Sequence, residues 1–301
     1  MNQENRDTVQ IVFFSGTGGT KRVADSFEKE LIKRDKKVEV KSLGAGDSVR
    51  SNHSSTNSSL EDISLYILLY PVYAFDAPKP IYNWIESLGE QEEGKQIAVI
   101  SVSGGGEVWP NTGCRNNCCE KLEKKGLKII YDNMMCMPAN MLTEMNDHVV
   151  MHLIKVIPEK VNKALDQILS GTIQRTRFHK SALRNYLSNL ENKNASKFAK
   201  NLLVTDDCTC CRWCAKNCTT NNIIINEQTK KPTFLDQCTI CLRCVYGCPA
   251  HAIQAKSKAV LKSFDLDAIE KRMEGVELDP VEKCCKGIVF SGVRDYLLGK
   301  Y

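Results

Sequence analysis

Residues 9–20 read VQIVFFSGTGGT, an apolar run that ends in a glycine-rich hexapeptide. The apolar run, residues 9–14, is typical of a strand that is buried on both faces of a parallel sheet. A helical pattern follows it, with Val23, Phe27 and Leu31 on one face. The hexapeptide is therefore expected to join the carboxyl end of a strand to the start of a helix.

Strand and helix patterns continue to alternate through the first half of the chain, which predicts a parallel sheet covered by helices on both faces. The polar segment 51–59, SNHSSTNSS, predicts a loop or a disordered insert, so the helix between the second and third strands is expected to be missing or short. Further strands are predicted at 38–43, 65–70, 96–102 and 127–134, and helices at 81–88, 118–125 and 149–169.

The hexapeptide is placed where parallel sheets bind ligands, at the carboxyl end of a strand. Main-chain N–H groups and the helix dipole favour an anion there, and the hydroxyls of Ser15, Thr17 and Thr20 can donate further hydrogen bonds. A glycine-rich turn without a ligand is the plainer interpretation. A dinucleotide-binding loop fits less well because Lys21 stands at its third glycine, although Glu39 lies near the place of a ribose-binding acid.

The hexapeptide resembles the FMN-phosphate loop of flavodoxins, T/S-x-T-G-x-T. This resemblance implies a flavodoxin-like, doubly wound α/β domain over residues 1–170. Its FMN phosphate would be held by Ser15, Gly16, Thr17, Gly18, Gly19 and Thr20. Its flavin ring would lie between two later loops, formed by Pro71, Val72, Tyr73, Ala74 and Phe75 and by Ser103, Gly104, Gly105, Gly106 and Trp109. Tyr73 and Trp109 are candidates for stacking on the ring, or else aromatic residues that only pack at loop ends.

The second half contains the pattern C-x2-C-x2-C-x3-C twice, thirty residues apart. The cysteines of the two runs are Cys208, Cys211, Cys214 and Cys218, then Cys238, Cys241, Cys244 and Cys248. Paired C-x2-C units can also bind zinc, but zinc gives no reason for the third and fourth cysteines of each run. The pattern is that of bacterial ferredoxins with two four-iron, four-sulfur clusters, in which the fourth cysteine of each run serves the other cluster.

The resemblance to ferredoxins covers residues 202–256 and implies a small α+β domain. Thr219 departs from it, because proline usually follows the first run; proline supplies no ligand, so coordination should survive. Cys210 is interpreted as a bystander thiol within the first run. The remaining cysteines form no complete ligand pattern and are interpreted as free or buried thiols; they are Cys114, Cys118, Cys119, Cys136, Cys284 and Cys285.

Two segments flank this region. Residues 171–200 hold seven basic residues and one acid, Glu191, in a chain whose net charge is only +5. This basic helical connector is either a solvated helix face or a surface that steers an acidic redox partner, such as a small ferredoxin. Its basic residues are Arg175, Arg177, Lys180, Arg184, Lys193, Lys197 and Lys200. Residues 261–301 are expected to form a helical tail that packs on either domain.

The chain as a whole resembles the flavodoxin–ferredoxin fusion proteins of anaerobic microbes, with domains at 1–170 and 201–260. The resemblance implies an electron-transfer protein that relays electrons between FMN and two four-iron clusters. One alternative is an FMN-dependent reductase of a small organic substrate, fed by its own ferredoxin domain, with Tyr73 or Glu107 as proton donor. Another is a non-redox binding or sensing module.

Composition indicates where in the cell this function takes place and which kinds of partner it involves. The mean hydropathy is −0.31, and no apolar run approaches the length of a membrane span, about 18 residues. The polar N-terminus lacks the apolar core of a secretory signal, and the fifteen cysteines fit metal or redox chemistry in a long cytoplasmic chain. The basic connector lacks the context of a nucleic-acid reader. Partners are therefore expected to be redox proteins; the oligomeric state is left open.

Overall fold

The computed structural model describes residues 8–44, 48–51, 63–176 and 194–300. Its main sheet comprises β1 (Thr8–Phe14), β2 (Lys37–Leu43), β3 (Ser48–Ser51), β4 (Ile63–Pro71), β5 (Gln96–Ser103) and β6 (Lys128–Cys136). The spatial order is β3-β2-β1-β4-β5-β6, and every neighbouring pair is parallel except the edge pair β2–β3. Counted without β3, the five parallel strands have the order 2-1-3-4-5, which is that of the flavodoxin-like fold. The predicted doubly wound sheet is confirmed.

The described helices that pack on this sheet within the first domain are α1 (Gly19–Lys33), α2 (Lys79–Glu86), α3 (Asn116–Lys124), α4 (Asp147–Lys155) and α5 (Ile157–Leu169). The predicted apolar face of α1 is buried, because Val23, Phe27 and Leu31 are each 0% exposed. The helices α1, α4 and α5 share one core with the sheet, while α2 and α3 cover its other face. The single helix predicted at 149–169 is divided at Val156, because Pro158 lacks the N–H that would continue it.

The connection from β2 to β4 differs from the helical connection that usually joins two parallel strands. Its described part forms β3, antiparallel to β2, and contains no helix. This agrees with a missing or short helix, although the predicted polar insert lies almost wholly outside the described residues.

A small cysteine-rich module, residues 202–255, follows a helical stretch at 194–200. Its elements are β7 (Leu202–Val204), α6 (Trp213–Lys216), β8 (Ile223–Ile225), β9 (Pro232–Phe234), α7 (Arg243–Tyr246) and β10 (Ile253–Ala255). Each element of the first half recurs thirty residues later, and β7 pairs with β10 as β8 pairs with β9. Left-handed backbone at Arg212, with φ of 61°, likewise recurs at Leu242, with φ of 59°. The backbone therefore has the same thirty-residue repeat as the sequence.

The last segment forms α8 (Leu266–Arg272), α9 (Val281–Cys284) and α10 (Ser291–Leu297). Its apolar residues Leu266, Ile269, Met273, Val293 and Tyr296 enter the core shared by α1 and α5. Arg272 donates to both carboxylate oxygens of Asp147 at 2.5 and 2.7 Å. The tail thus packs on the first domain. None of the described helices has the length and apolar character of a bilayer span.

The connector is described only at its two ends, so most of its predicted basic positions, 177–193, lie outside the described residues. Gln174 forms a parallel bridge with Tyr131 at the edge of β6. Arg175 pairs with Glu123 at 2.6 Å, and Lys200 pairs with Asp236 at 2.6 Å. At the described ends of the connector, Arg175 and Lys200 are therefore each paired with an acid from outside the segment.

Candidate cofactor-binding site

The loop of residues 15–20 connects β1 to α1, as the sequence predicts. Gly18 is the N-cap of α1 and has φ of 97°, a left-handed conformation that glycine adopts without strain. Within the described part of the chain, the main-chain N–H groups of Thr17, Gly18, Gly19 and Thr20 donate to no protein acceptor. The start of a long helix leaves such groups free for an anion. This loop fits a phosphate group.

The hydroxyls of the loop are positioned by their neighbours. Asn140 donates from Nδ2 to the Thr17 Oγ1 at 3.0 Å, which leaves the hydroxyl proton of Thr17 available to an acceptor. The main-chain N–H of Lys21 donates to the Ser15 Oγ at 3.3 Å. Ser15 and Thr20 are both buried.

The loop after β4 holds Tyr73 close to the 15–20 loop. Its ring meets Phe14 edge-on, with centroids 6.2 Å apart. Its hydroxyl lies so near Gly16 that any Cβ at Gly16 would clash with it. Burial raises the pKa of this hydroxyl well above its usual value. The turn that follows carries left-handed backbone at Ala74 and Phe75, with φ of 51° and 56°.

The loop after β5 is fixed by Arg115, which is completely buried. Arg115 donates to Glu107 at 3.0 Å, to Asp132 at 3.1 Å and to Ser101 at 2.9 Å. Glu107 is thereby engaged in an ion pair, which does not suit the proton donor that the reductase alternative requires. Trp109, farther along the loop, is 59% exposed.

The glycines of this loop are packed against other chain segments. A Cβ at Gly104 would clash with Ala139, and the carbonyl of Gly105 abuts Gly292 of α10. Ser103 Oγ accepts from the N–H of Gly105 at 3.1 Å. The tail helix therefore helps to hold the loop that was predicted to contact a flavin ring.

A cavity of about 710 Å³ opens at the 15–20 loop, between the first domain and the cysteine-rich module. Neither Tyr73 nor Trp109 lines it. One wall is formed by Gly16, Thr17, Gly18, Lys21 and Arg22, and the opposite wall includes Trp213, Arg243, Tyr246, Gly247 and Phe264. Sequence reasoning missed this second wall, because only the docking of the module brings it to the loop.

The eight predicted ligand cysteines lie around two separate cavities. Cys208, Cys211, Cys214 and Cys248, here named the first quartet, line one cavity together with Cys210. Cys218, Cys238, Cys241 and Cys244, the second quartet, line the other. Each cavity thus combines three cysteines of one run with the fourth cysteine of the other run. No three His, Cys, Asp or Glu side chains in the described ranges converge as ligands of a single metal ion.

Main-chain N–H groups point at several of these sulfurs. Asn222 donates to the Cys218 Sγ at 3.1 Å, and Ala252, its counterpart in the second repeat, donates to the Cys248 Sγ at 3.4 Å. Ile240 donates to the Cys238 Sγ at 3.3 Å. Such bonds stabilise the negative charge of thiolates and tune the potential of clusters held by them.

The two quartets differ in their environments. Cys211 is exposed, and a main-chain hydrogen bond from Trp213 lowers the pKa of its thiol. In the second quartet, burial raises the pKa of Cys238 to about 11 and that of Cys244 well above its usual value. Cys211 therefore brings the first quartet to the surface, whereas all four cysteines of the second quartet are partly buried.

The other cysteines lie apart from the quartets or only beside them. Cys114, Cys118 and Cys119 are buried around α3, and burial raises the pKa of Cys114 to about 11 and that of Cys119 to about 12. Cys136 and Cys285 belong to the core of the first domain, and Cys284 packs against it. Cys210 contacts the carbonyl oxygen of Cys208 through its thiol at 3.8 Å.

Comparisons with known proteins find similarity in the first domain. No family model and no curated protein matches the chain. Among solved structures, oxidised flavodoxin 2 from Bacillus cereus is 14% identical, with a TM-score of 0.37 over 53% of this chain and 99% of that chain. The two-electron reduced flavodoxin of Megasphaera elsdenii is 19% identical, with a TM-score of 0.34 over 52% and 99%. General stress protein 14 from Treponema denticola, in complex with FMN, is 11% identical, with a TM-score of 0.37 over 55% and 99%.

Proposed function

We propose that this chain is an electron-transfer protein that holds FMN at the 15–20 loop and two four-iron, four-sulfur clusters on the two quartets. FMN supplies one- and two-electron exchange and each cluster supplies one-electron exchange, while the protein positions these groups and tunes their potentials. The observation that carries the proposal is the contact between the two sites: Cys241 of the second quartet lies against Gly16 of the 15–20 loop.

The cluster part of the proposal is supported by how the cysteines are grouped. Each quartet surrounds a cavity of its own, and each draws its fourth cysteine from the other run. A four-iron cluster binds each of its cysteines through a different iron, so its ligands stand around a cube. Zinc ligands would instead converge on one ion at about 2.3 Å. The N–H groups that donate to Cys218, Cys238 and Cys248 suit sulfurs that carry negative charge.

The FMN part of the proposal is supported by the 15–20 loop. Four main-chain N–H groups and the hydroxyl of Thr17 can donate to a terminal phosphate at the start of α1. Lys21 stays ion-paired with Asp25 at 2.6 Å. Recognition of the phosphate thus falls mainly to main-chain groups, as it does at other helix N-termini that bind phosphate.

The positions of the two quartets suggest a path for electrons through the protein, from the 15–20 loop to the second quartet and then to the first quartet. Cys241 places the second quartet beside the 15–20 loop, and Cys211 places the first quartet at the surface. Electrons would therefore enter or leave the protein at the face around Cys211, where a redox partner can approach. Because the module packs directly on the 15–20 loop, the second quartet and the proposed FMN site are close together.

Anaerobic reconstitution with iron, sulfide and FMN tests the proposal. We expect about eight irons per chain, as two four-iron clusters require, together with bound flavin. A redox titration followed by absorption should resolve flavin and cluster transitions in the same protein. Tightly bound zinc with almost no iron would contradict the cluster part, and failure of FMN to bind the reconstituted protein would contradict the flavin part.

A further inference from the structure

The cysteine-rich module touches the 15–20 loop through α7, the helix that contains Cys244 of the second run. Arg243 donates from Nε to the carbonyl of Gly16 at 2.9 Å and from Nη2 to the carbonyl of Ser15 at 3.1 Å. The planar guanidinium thus donates hydrogen bonds to two successive carbonyls at once, a geometry that lysine cannot reproduce. These bonds fix the turn that presents the free N–H groups.

A second connection runs from α7 to the loop through Asn140. Tyr246 donates from its hydroxyl to the carbonyl of Asn140 at 2.7 Å, and Asn140 donates from its side chain to Thr17 at 3.0 Å. The hydroxyl of Tyr246 also accepts from the N–H of Leu261 at 3.1 Å. Both ends of α7 therefore position the 15–20 loop, one directly and the other through Asn140.

The module and the segment that follows it also supply aromatic surface to the cavity at this loop. Trp213, Tyr246 and Phe264 line it, and the rings of Tyr246 and Phe264 lie 5.8 Å apart. The indole of Trp213 rests on Gly247, where a Cβ would clash with it. Aromatic faces beside an anion-binding loop are what a flat heteroaromatic ring with a phosphate tail requires. Arg22 closes the far side of the cavity through ion pairs to Asp267 and Glu270 of α8.

We propose that the FMN site is composite: the 15–20 loop holds the phosphate, and the wall formed by Trp213, Tyr246 and Phe264 receives the flavin ring. This inference rests on the proposed function and refines it. The hydroxyl of Tyr73 and the main chain of Cys241 both lie against Gly16, and neither Tyr73 nor Trp109 lines the cavity. The helix α7 carries both Arg243, which holds the 15–20 loop, and Cys244, a member of the second quartet.

The test is titration of the full-length reconstituted chain with FMN, read by quenching of flavin fluorescence. Arg243→Gln loses two charge-assisted bonds and should weaken FMN binding by about tenfold or more. Arg243→Lys should restore part of this loss, because its ammonium reaches one carbonyl. Tyr246→Phe keeps the ring and the fold and should weaken binding severalfold. Iron content should stay unchanged in every variant.

Two variants serve as matched controls. Arg212→Gln removes an exposed arginine from the corresponding loop of the first repeat, and Arg212 does not line the cavity at the 15–20 loop. Trp109→Ala removes the ring of the loop after β5. Both should bind FMN as wild type does.

Two outcomes overturn the composite site while the proposed function stands. One is FMN binding of wild-type strength in both Arg243→Gln and Tyr246→Phe. The other is loss of binding in Trp109→Ala alone, which would place the ring between the loops after β4 and β5. A wild-type chain that loads both clusters but binds no FMN would overturn the flavin part of the proposed function, and this inference with it.

Discussion

The main-chain oxygen of Cys241 lies against Gly16, so closely that a Cβ at Gly16 would approach it to 2.8 Å. One residue belongs to the second quartet and the other to the proposed phosphate loop. Because the contact is made by main chain on one side and by glycine on the other, no side chain separates the two sites. Substitutions in the second quartet should therefore affect the flavin as well as the iron.

The first prediction concerns Cys241→Ser. Loss of one ligand of the second quartet should leave about four of eight irons per chain and should slow electron exchange with bound FMN. Cys211→Ser should also leave about four irons, but exchange between the flavin and the remaining cluster should persist. Iron analysis and flavin reduction kinetics after rapid mixing measure both effects.

Cys210→Ser is the control for these cysteine variants, since Cys210 lies between two ligands without belonging to a quartet's pattern. It should retain about eight irons. A loss of iron in Cys210→Ser equal to that in Cys211→Ser would show that the ligand set is assigned incorrectly.

The second prediction concerns Thr17. Thr17→Ala removes a hydroxyl that can donate to the phosphate and leaves the side chain of Asn140 without its acceptor. FMN binding should weaken by about 1.5–3 kcal/mol, the range for hydrogen bonds to charged groups. Thr17→Ser keeps the hydroxyl and should bind nearly as tightly as wild type. Equal affinities of the alanine and serine variants in calorimetry would exclude this role for the hydroxyl.

The third prediction is a pH dependence of thiol alkylation in the cluster-free protein. The pKa of Cys211 is lowered by the main-chain hydrogen bond from Trp213, so its reactive thiolate forms at lower pH, and its alkylation should be half-maximal at a lower pH than that of an unperturbed thiol. The pKa of Cys114 is raised to about 11 by burial, so its alkylation should be slow at neutral pH and should rise only as the solution becomes alkaline.

Mass spectrometry of labelled peptides can follow both thiols across the pH range. Cluster loading should protect Cys211 and leave Cys114 unaffected, because only Cys211 belongs to a quartet. Rapid labelling of Cys211 in fully iron-loaded protein would contradict its assignment as a ligand.

The fourth prediction concerns the docking of an acidic redox partner. Arg212 and Lys216 are exposed beside Cys211, where the first quartet meets the surface. Arg212→Glu combined with Lys216→Glu should slow reduction by an acidic ferredoxin at low salt. The difference should shrink as the Debye length falls from about 10 Å at 0.1 M to about 3 Å at 1 M.

The connector provides the comparison for this test. Arg175→Glu with Lys180→Glu reverses two of its charges, and the sequence predicts slower reduction there too. Arg175 is already paired with Glu123, so we expect the smaller effect from this pair of substitutions. If stopped-flow reduction is slowed only by the substitutions at Arg175 and Lys180, the acidic partner docks at the connector and not beside Cys211.

The parallel strands and the buried face of α1 could be predicted because their apolar patterns are long and regular. The run that ends at Phe14 forms β1, and Val23, Phe27 and Leu31 share one buried face. The position of the 15–20 loop could be predicted in the same way, because a glycine-rich turn stands between this strand pattern and a helical pattern.

Other features depend on contacts between distant segments. The strands of the module are three residues long, too short for a periodic pattern to reveal. Nothing local to Arg243 or Tyr246 indicates that α7 would dock on a loop more than two hundred residues earlier. For the same reason the sequence left Tyr73 open, either as a residue that stacks on the ring or as one that packs at a loop end; in the structure its hydroxyl lies against Gly16.

The pairing of β7 with β10 sets Leu202 opposite Ala255, so the two ends of the module lie side by side. The chain then completes the core of that first domain with Leu266, Ile269 and Tyr296. In architectural terms the module is a cassette inserted into a host domain, which folds from segments on both sides of it. A cassette whose two ends meet can be gained, lost or exchanged between hosts without rerouting the host chain.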